Sequence, residues 1–521
     1  MAEIHSKEEL ECATIAATNS SMFILRADRS WGRARNPRQP HVSKKNLDPC
    51  FRVVIIPRTH LKSRGCDGRP GSIHSFRKPT FTDNEHAWTL LACQAWRHPG
   101  LSEPAPRSTG EKSVSSRTAY LDGLRGFAAL MVYWGHHQLW AHDGEGAQAI
   151  FENAYGYNGQ HYFACLPGVR IFFSGGHFAV SVFFVLSGYV LAAKPLFLIQ
   201  RGDFKALGDN LSSALFRRWL RLHLPVICTT FSYMTVLHLF RIRAVPESKS
   251  TYLEELWNWY IEFKNFSFIF RGGGDPWFTY NFHAWSIPVE FRGSITIYTV
   301  LLAFSRFHAN IRMCGHILLI FYFLYITDGW FCALFMAGML LCELDIAAQL
   351  DEMPAILNKL RPWKKPISYA LFAISMYLGG VPSHTSDLQI LRDSPGWHYL
   401  SLLKPQAVFD YKWFYLFWAA TLLVASIPRI AGLRAFFEQP FNQYLAIGWA
   451  RVSHPTTCPG WIDRLPLPRV GPLGMEFSFL APHFILFPVT LWLAEVVTRV
   501  VDTPSVQCAS WLYRTLLARE F

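Results

Sequence analysis

Apolar and polar residues divide this chain near residue 115. Residues 1–115 are rich in Arg, Lys, Ser, Pro and His, with no long apolar run and no sustained period. Such a segment has too little apolar surface to repay the entropy of ordering, so it reads as a disordered, basic, cytosolic extension. Its start, MAEIHSKEEL, lacks the basic-then-apolar pattern of a secretory leader. After it come apolar runs separated by polar connectors. The first is YLDGLRGFAALMVYWGHHQLW at 120–140, and the clearest is Phe172–Ala193. Leu222–Phe240 and His283–Phe304 follow, with a polar, Trp- and Tyr-rich loop or interfacial helix between them. His316–Thr327 and Gly329–Cys342 meet at a turn, Asp328-Gly329; Pro366–Pro382 and Trp413–Pro428 come next. Phe436–Ser453 is a weaker run that ends in the Pro-rich, polar stretch RVSHPTTCPGWIDRLPLPRVGPLG. Glu476–Val497 is the last run and contains Pro482 and Pro488, tolerable where neighbouring helices satisfy the freed backbone. The pattern predicts an all-α polytopic membrane bundle over 116–515 with about ten transmembrane helices, the ninth the least supported.

Composition agrees: 51% of residues are hydrophobic, 16% aromatic and 17% charged. That balance suits a bilayer-embedded chain better than a large soluble core. The net charge is +13. No nucleic-acid-binding motif accompanies it, so the excess reads as cytoplasmic anchoring and contact with anionic lipid or an anionic co-substrate. The basic residues of 201–221, Arg306 and Arg312, 359–365, Arg429 and Arg434 fall on one side of the predicted spans, and the acidic connector 141–171 falls on the other. The positive-inside rule then makes both termini cytosolic, in an endomembrane or the plasma membrane. The 11 cysteines show no CxxC and no Cys/His ligand spacing, so neither a structural metal nor a disulfide framework is expected.

Candidate chemistry lies inside the runs. Arg125 and His136 are 11 residues apart, three helical turns plus about 20°, and so share a face about 16 Å apart along the axis. The alternative for this pair is a snorkelling Arg and a headgroup-level His. Arg218 and Arg221 stand at i and i+3 at a predicted helix entry. Guanidinium forks match phosphates, although such pairs also serve as simple anchors. In HAWSIPVEFRGS at 283–294, His283 and Glu290 are seven apart, close to two turns. A carboxylate within a span is costly and is functional or paired, here with Arg292 or another buried Arg. Gly188 reads as a helix-packing residue, and Ser187 beside it offers a polar role. No serine-hydrolase elbow, P-loop, zinc-protease or dinucleotide motif is present, so chemistry would rest on His and carboxylates within the bundle.

Taken together, YLDGLRGFAAL with His136-His137, HFAVSVFFVLSGYVL at 177–191, RRWLRLHLP at 217–225, HAWSIPVEFRGS and TRVVDTPSVQCASWLY at 498–513 resemble the membrane-bound acyltransferase-3 family, especially its fungal members. The resemblance covers 119 to about 515, with the blocks in the family's order. It implies a ten-helix bundle that transfers an acyl group, often acetyl, from acyl-CoA to a hydroxyl of a small-molecule, sugar or lipid acceptor, with no metal. Carried over residue by residue, the first-helix pair falls on Arg125 and His136, the cofactor-binding arginines on Arg218 and Arg221, and the polar end of helix four on Glu290. His136 would act as general base, with Glu290 or a neighbouring polar group orienting it. The sequence departs from the family near 451–474, where a late helix is usual. That departure supports the alternative of an inactive relative serving as a transporter or scaffold.

Overall fold

The computed structural model describes residues 118–141, 156–157, 160–161, 163–241, 248–270, 277–383, 386–449 and 482–517. The extension 1–115 and the Pro-rich stretch 451–474 lie outside the described residues. Helices account for nearly all of the described chain. A two-residue antiparallel ladder, Gly156–Tyr157 with Gln160–His161, is the exception.

The helices that matter for the site are α1 (Ala119–Ala141), α2 (Gly176–Arg201), α3 (Phe204–Phe240), α4 (Tyr252–Ser267), α5 (Ser286–Ala303), α6 (Ala309–Phe321) and α7 (Trp330–Gln349). They are followed by α8 (Lys364–Leu378), α9 (Tyr411–Ser426), α10 (Ala431–Phe437), α11 (Pro440–Trp449), α12 (His483–Val497) and α13 (Thr503–Leu517). Among the described residues, five continuous helical stretches are long and apolar enough to cross a membrane: α2, α3, α6 with its π-turn to Ile326, α7, and His483–Leu517. They become six if the α9–α10 pair, bent by 100°, counts as one span. α1 and α5 fall outside that set because each gives apolar positions to charged or imidazole side chains: Asp122, Arg125, His136 and His137 in α1, Glu290 and Arg292 in α5.

Two boundaries differ from the sequence expectation. The basic stretch predicted as a connector is helical: α2 ends on left-handed Gly202, and Asp203 at once caps α3 through the backbone amide of Ala206 at 3.0 Å. A two-residue turn therefore does the work assigned to twenty, and Arg218 and Arg221 stand well inside α3, not at its entry. His283 lies in a 3₁₀ segment, Thr279–Trp285, that precedes α5. With 3.0 residues per turn there, the seven-residue spacing to Glu290 is not two α-turns.

Close backbone approach organises the bundle. At the α2–α7 crossing a Cβ on Gly188 would lie 2.1 Å from the Phe335 carbonyl oxygen, and one on Gly338 would lie 2.0 Å from that of Val185. Phe335, fully buried, fills the space over this crossing and over Gly293 of α5. Two glycines of α1 do the same for α11 and the last residue of α10. A Cβ on Gly126 would meet the Asn442 carbonyl oxygen at 2.3 Å, and one on Gly123 the Phe437 carbonyl oxygen at 1.7 Å. The Gln443 side-chain amide donates to the carbonyls of Ala119 (2.7 Å) and Phe437 (2.9 Å), tying α11 to the start of α1. Ten residues of α11 are described. The stretch after α3 includes α4, begun by a Thr251/Glu254 capping box. Buried Glu255 of α4 accepts from the Tyr280 hydroxyl, and Trp259 Nε1 donates to Thr230 of α3 at 3.0 Å. The six described cysteines are free thiols.

Candidate active site

α1 presents its two adjacent histidines to different surroundings, as consecutive residues about 100° apart must. His137 is 2% exposed. Its ring lies 4.2 Å from that of Tyr133 and 4.6 Å from that of His483, and the Tyr133 hydroxyl lies 2.8 Å from His483 Nδ1. This is an aromatic seam between α1 and α12.

His136 turns instead to a cavity of about 70 Å³, lined by Val132, Gly135, His136, Ser174, Gly176, His177, Val180 and Trp285. The His283 ring sits edge-on against His136, with centroids 4.2 Å apart. His177, in the first turn of α2, packs on Trp413 at 5.5 Å. Trp413 also meets Trp285 at 6.0 Å and stacks on Trp330 at 3.8 Å. The Ser174 hydroxyl donates to the Arg170 carbonyl at 3.0 Å. Arg170 itself is buried, and burial pulls its guanidinium down to about 10, so it remains cationic at neutral pH. Two imidazoles, His136 and His177, thus line one small space, and a third, His283, packs against the His136 ring. Of the three, sequence reasoning gave a catalytic role to His136 alone, and had set His283 with Glu290 by spacing, not with His136. The signal for the other two was an imidazole at an otherwise apolar helix start, in SGGH at 174–177 and in HAW at 283–285.

Glu290 belongs to a second cluster. Its carboxylate accepts from Arg218 Nη2 at 2.6 Å and from the Ser187 hydroxyl at 3.3 Å. Arg218 Nε donates to the Ser294 hydroxyl at 2.7 Å, and that hydroxyl donates to the Glu290 carbonyl at 2.7 Å. The arginine that pairs with Glu290 is therefore Arg218 of α3, while Arg292 Nε donates to the Ile269 carbonyl at 2.8 Å. The neighbouring polar group against His136 is His283. Two residues along α2 from Ser187, the Tyr189 hydroxyl donates to Asp345 at 3.0 Å, and Arg429 approaches the same carboxylate at 3.6 Å. Arg125 is paired with Asp122 at 2.9 Å and is only partly buried.

A third buried cluster joins α6 to α7. Arg312 Nε and Nη2 reach Glu343 Oε1 at 2.6 and 2.5 Å, and His316 Nδ1 lies 3.1 Å from Glu343 Oε2. Arg312, counted from sequence among the basic loop residues, is thus an interior residue. Among the described residues no group of three or more His, Cys, Asp or Glu side chains is arranged to hold a metal ion.

Comparison with known proteins adds two findings. The family model described as an acyltransferase domain, acyltransferase-3, matches residues 118–447. The chain is also 27% identical over 467 residues to O-acetyltransferase PaAT-1 of Phomopsis amygdali, covering 81% of this chain and 90% of that protein. No solved structure matches.

Proposed function

Since the chain belongs to the acyltransferase-3 family, we propose that it is an integral-membrane O-acyltransferase that moves an acyl group, acetyl by analogy with its fungal relative, from acyl-CoA to an acceptor hydroxyl. The observation that carries this reading is the cavity: His136, on the first helix, faces it with His283 against its ring. Imidazole is the side chain suited to taking a hydroxyl proton near neutral pH. In the proposed step His136 takes the acceptor O–H proton. The acceptor oxygen forms a bond to the thioester carbonyl carbon, the C–S bond breaks, and the departing CoA thiolate takes up the proton. His283 orients His136, the part the sequence had offered to Glu290 or a neighbour. Acyl-CoA, extended, would bring its phosphates to the basic side of the bundle, toward Arg125, Arg218 and Arg221. The Arg218–Glu290 pair holds α3 and α5 in register at that entry. In this reading the bundle completes ten spans, both termini are cytosolic, and the cavity lies toward the opposite face.

The test is acyl transfer by the purified protein in lipid nanodiscs with acetyl-CoA and a panel of alcohols, comparing wild type, His136→Ala and His137→Ala. A positioned base contributes about 10²- to 10⁴-fold. His136→Ala should lose at least two orders of magnitude in kcat with little change in acetyl-CoA affinity. His137→Ala should lower stability, since it empties the seam to His483, and spare kcat in the folded fraction. Full activity in His136→Ala would remove the proposed base.

A further inference from the structure

The reacting end of the acceptor must fit a space whose walls are unusual for a sugar site. Of the side chains facing it, Val132, Val180 and Trp285 are hydrocarbon or aromatic, and the polar ones are His136, His177 and Ser174. Ser174 has already given its proton to the Arg170 carbonyl. If His136 serves the reacting hydroxyl, His177, with the Ser174 oxygen as an acceptor only, is left to meet any second hydroxyl. Behind the lining the wall is again aromatic, with Trp413 between His177 and Trp285 and Trp330 stacked on Trp413. A polyol entering the space would strip water from several hydroxyls and find few partners, whereas a hydrocarbon bearing one hydroxyl would lose little.

We infer that the acceptor is an alcohol whose hydroxyl-bearing end is hydrocarbon, not a polyol sugar, and that Val132, Val180 and Trp285 set this preference. The inference rests on the O-acyltransferase reading with His136 as base. The balanced step is the one given above: the alcohol and acetyl-CoA yield the acetate ester and free CoA thiol.

Two six-membered-ring primary alcohols separate the cases: cyclohexylmethanol and methyl β-glucopyranoside, each offering a CH₂OH group, one on a carbocycle and one on a polyol ring. The assay is ester formation from acetyl-CoA by the full-length chain in nanodiscs, with free CoA measured alongside. The kcat/KM for cyclohexylmethanol should exceed that for the glucoside by about 10²-fold, the discrimination a hydrocarbon-lined site makes against added hydroxyls. Equal values, or preference for the glucoside, would overturn the inference and leave O-acyl transfer standing. No ester from either alcohol, with the protein folded, would overturn the transferase reading itself. Val180→Thr, nearly the same shape with one hydroxyl on the wall, should narrow the ratio by about tenfold. An unchanged ratio in that variant would take the acceptor out of this cavity.

Discussion

Replacing Arg218 by Met removes a guanidinium that bridges α3 to α5. The bonds lost are Nη2 to Glu290 at 2.6 Å and Nε to Ser294 at 2.7 Å. The Glu290 carboxylate then keeps the Ser187 hydroxyl at 3.3 Å. Breaking one partner of a buried ion pair costs about 3–5 kcal/mol. Arg218 is 8% exposed but the Glu290 side chain is 28% exposed, so water can partly replace the lost partner. The low end, about 3 kcal/mol, is therefore expected, equivalent to about 100-fold in the folding equilibrium. Removing both partners, Arg218→Met with Glu290→Leu, leaves no orphan charge and should recover most of the loss, a coupling of about 2 kcal/mol. The measurement is unfolding of the four proteins of the double-mutant cycle in the same nanodisc lipid, with the acetyl-CoA KM determined in parallel. If the two single losses simply add, the pair does not stabilise the bundle. If stability is unchanged and only KM rises in Arg218→Met, the guanidinium serves phosphate binding and the structural role is wrong.

Arg221→Ala should raise the acetyl-CoA KM about tenfold with stability nearly unchanged, since a charge-assisted contact contributes about 1.5–3 kcal/mol; an unchanged KM would return Arg221 to simple anchoring. Glu343→Leu leaves Arg312 and His316 buried without their carboxylate and should destabilise α6 against α7 by about 3–5 kcal/mol, read by thermal unfolding. Gly126→Val pushes side-chain atoms into the Asn442 backbone, where even a Cβ would sit at 2.3 Å, and should lower expression and unfolding temperature while Gly432→Val, with open space around it, does neither. Glycosylation reporters should be modified in the 142–155 segment and not at the Gly202-Asp203 turn; the reverse result would invert the topology.

Much of the helical layout was legible in the chain itself, because a membrane helix announces itself locally. An apolar run such as Phe172–Ala193 has few other ways to satisfy its backbone in hydrocarbon. The turn at Asp328-Gly329 and the separate faces of His136 and His137 follow from the same local rules. So do the motif blocks that carried the family resemblance, since they are contiguous stretches. What resisted reading was phase and partnership. A two-residue turn at Gly202-Asp203 made the basic segment helical, and a 3₁₀ turn before Ser286 broke the spacing from His283 to Glu290. The glycines of LDGLRG carried no packing role in the sequence reading, and the structure shows them making room for the backbone of the 437–442 region.

The residues by themselves determined an all-helical chain with several helices apolar enough to cross a membrane, with polar groups such as His136 interrupting the apolar runs. Only the tertiary structure decided which groups meet: His177 and His283 with His136, Arg218 with Glu290 across 72 residues, Arg312 with Glu343. The physical reason is range. Helix formation and hydropathy are summed over neighbours in sequence, whereas a buried charge is satisfied by whichever opposite group helix crossing brings within about 3 Å.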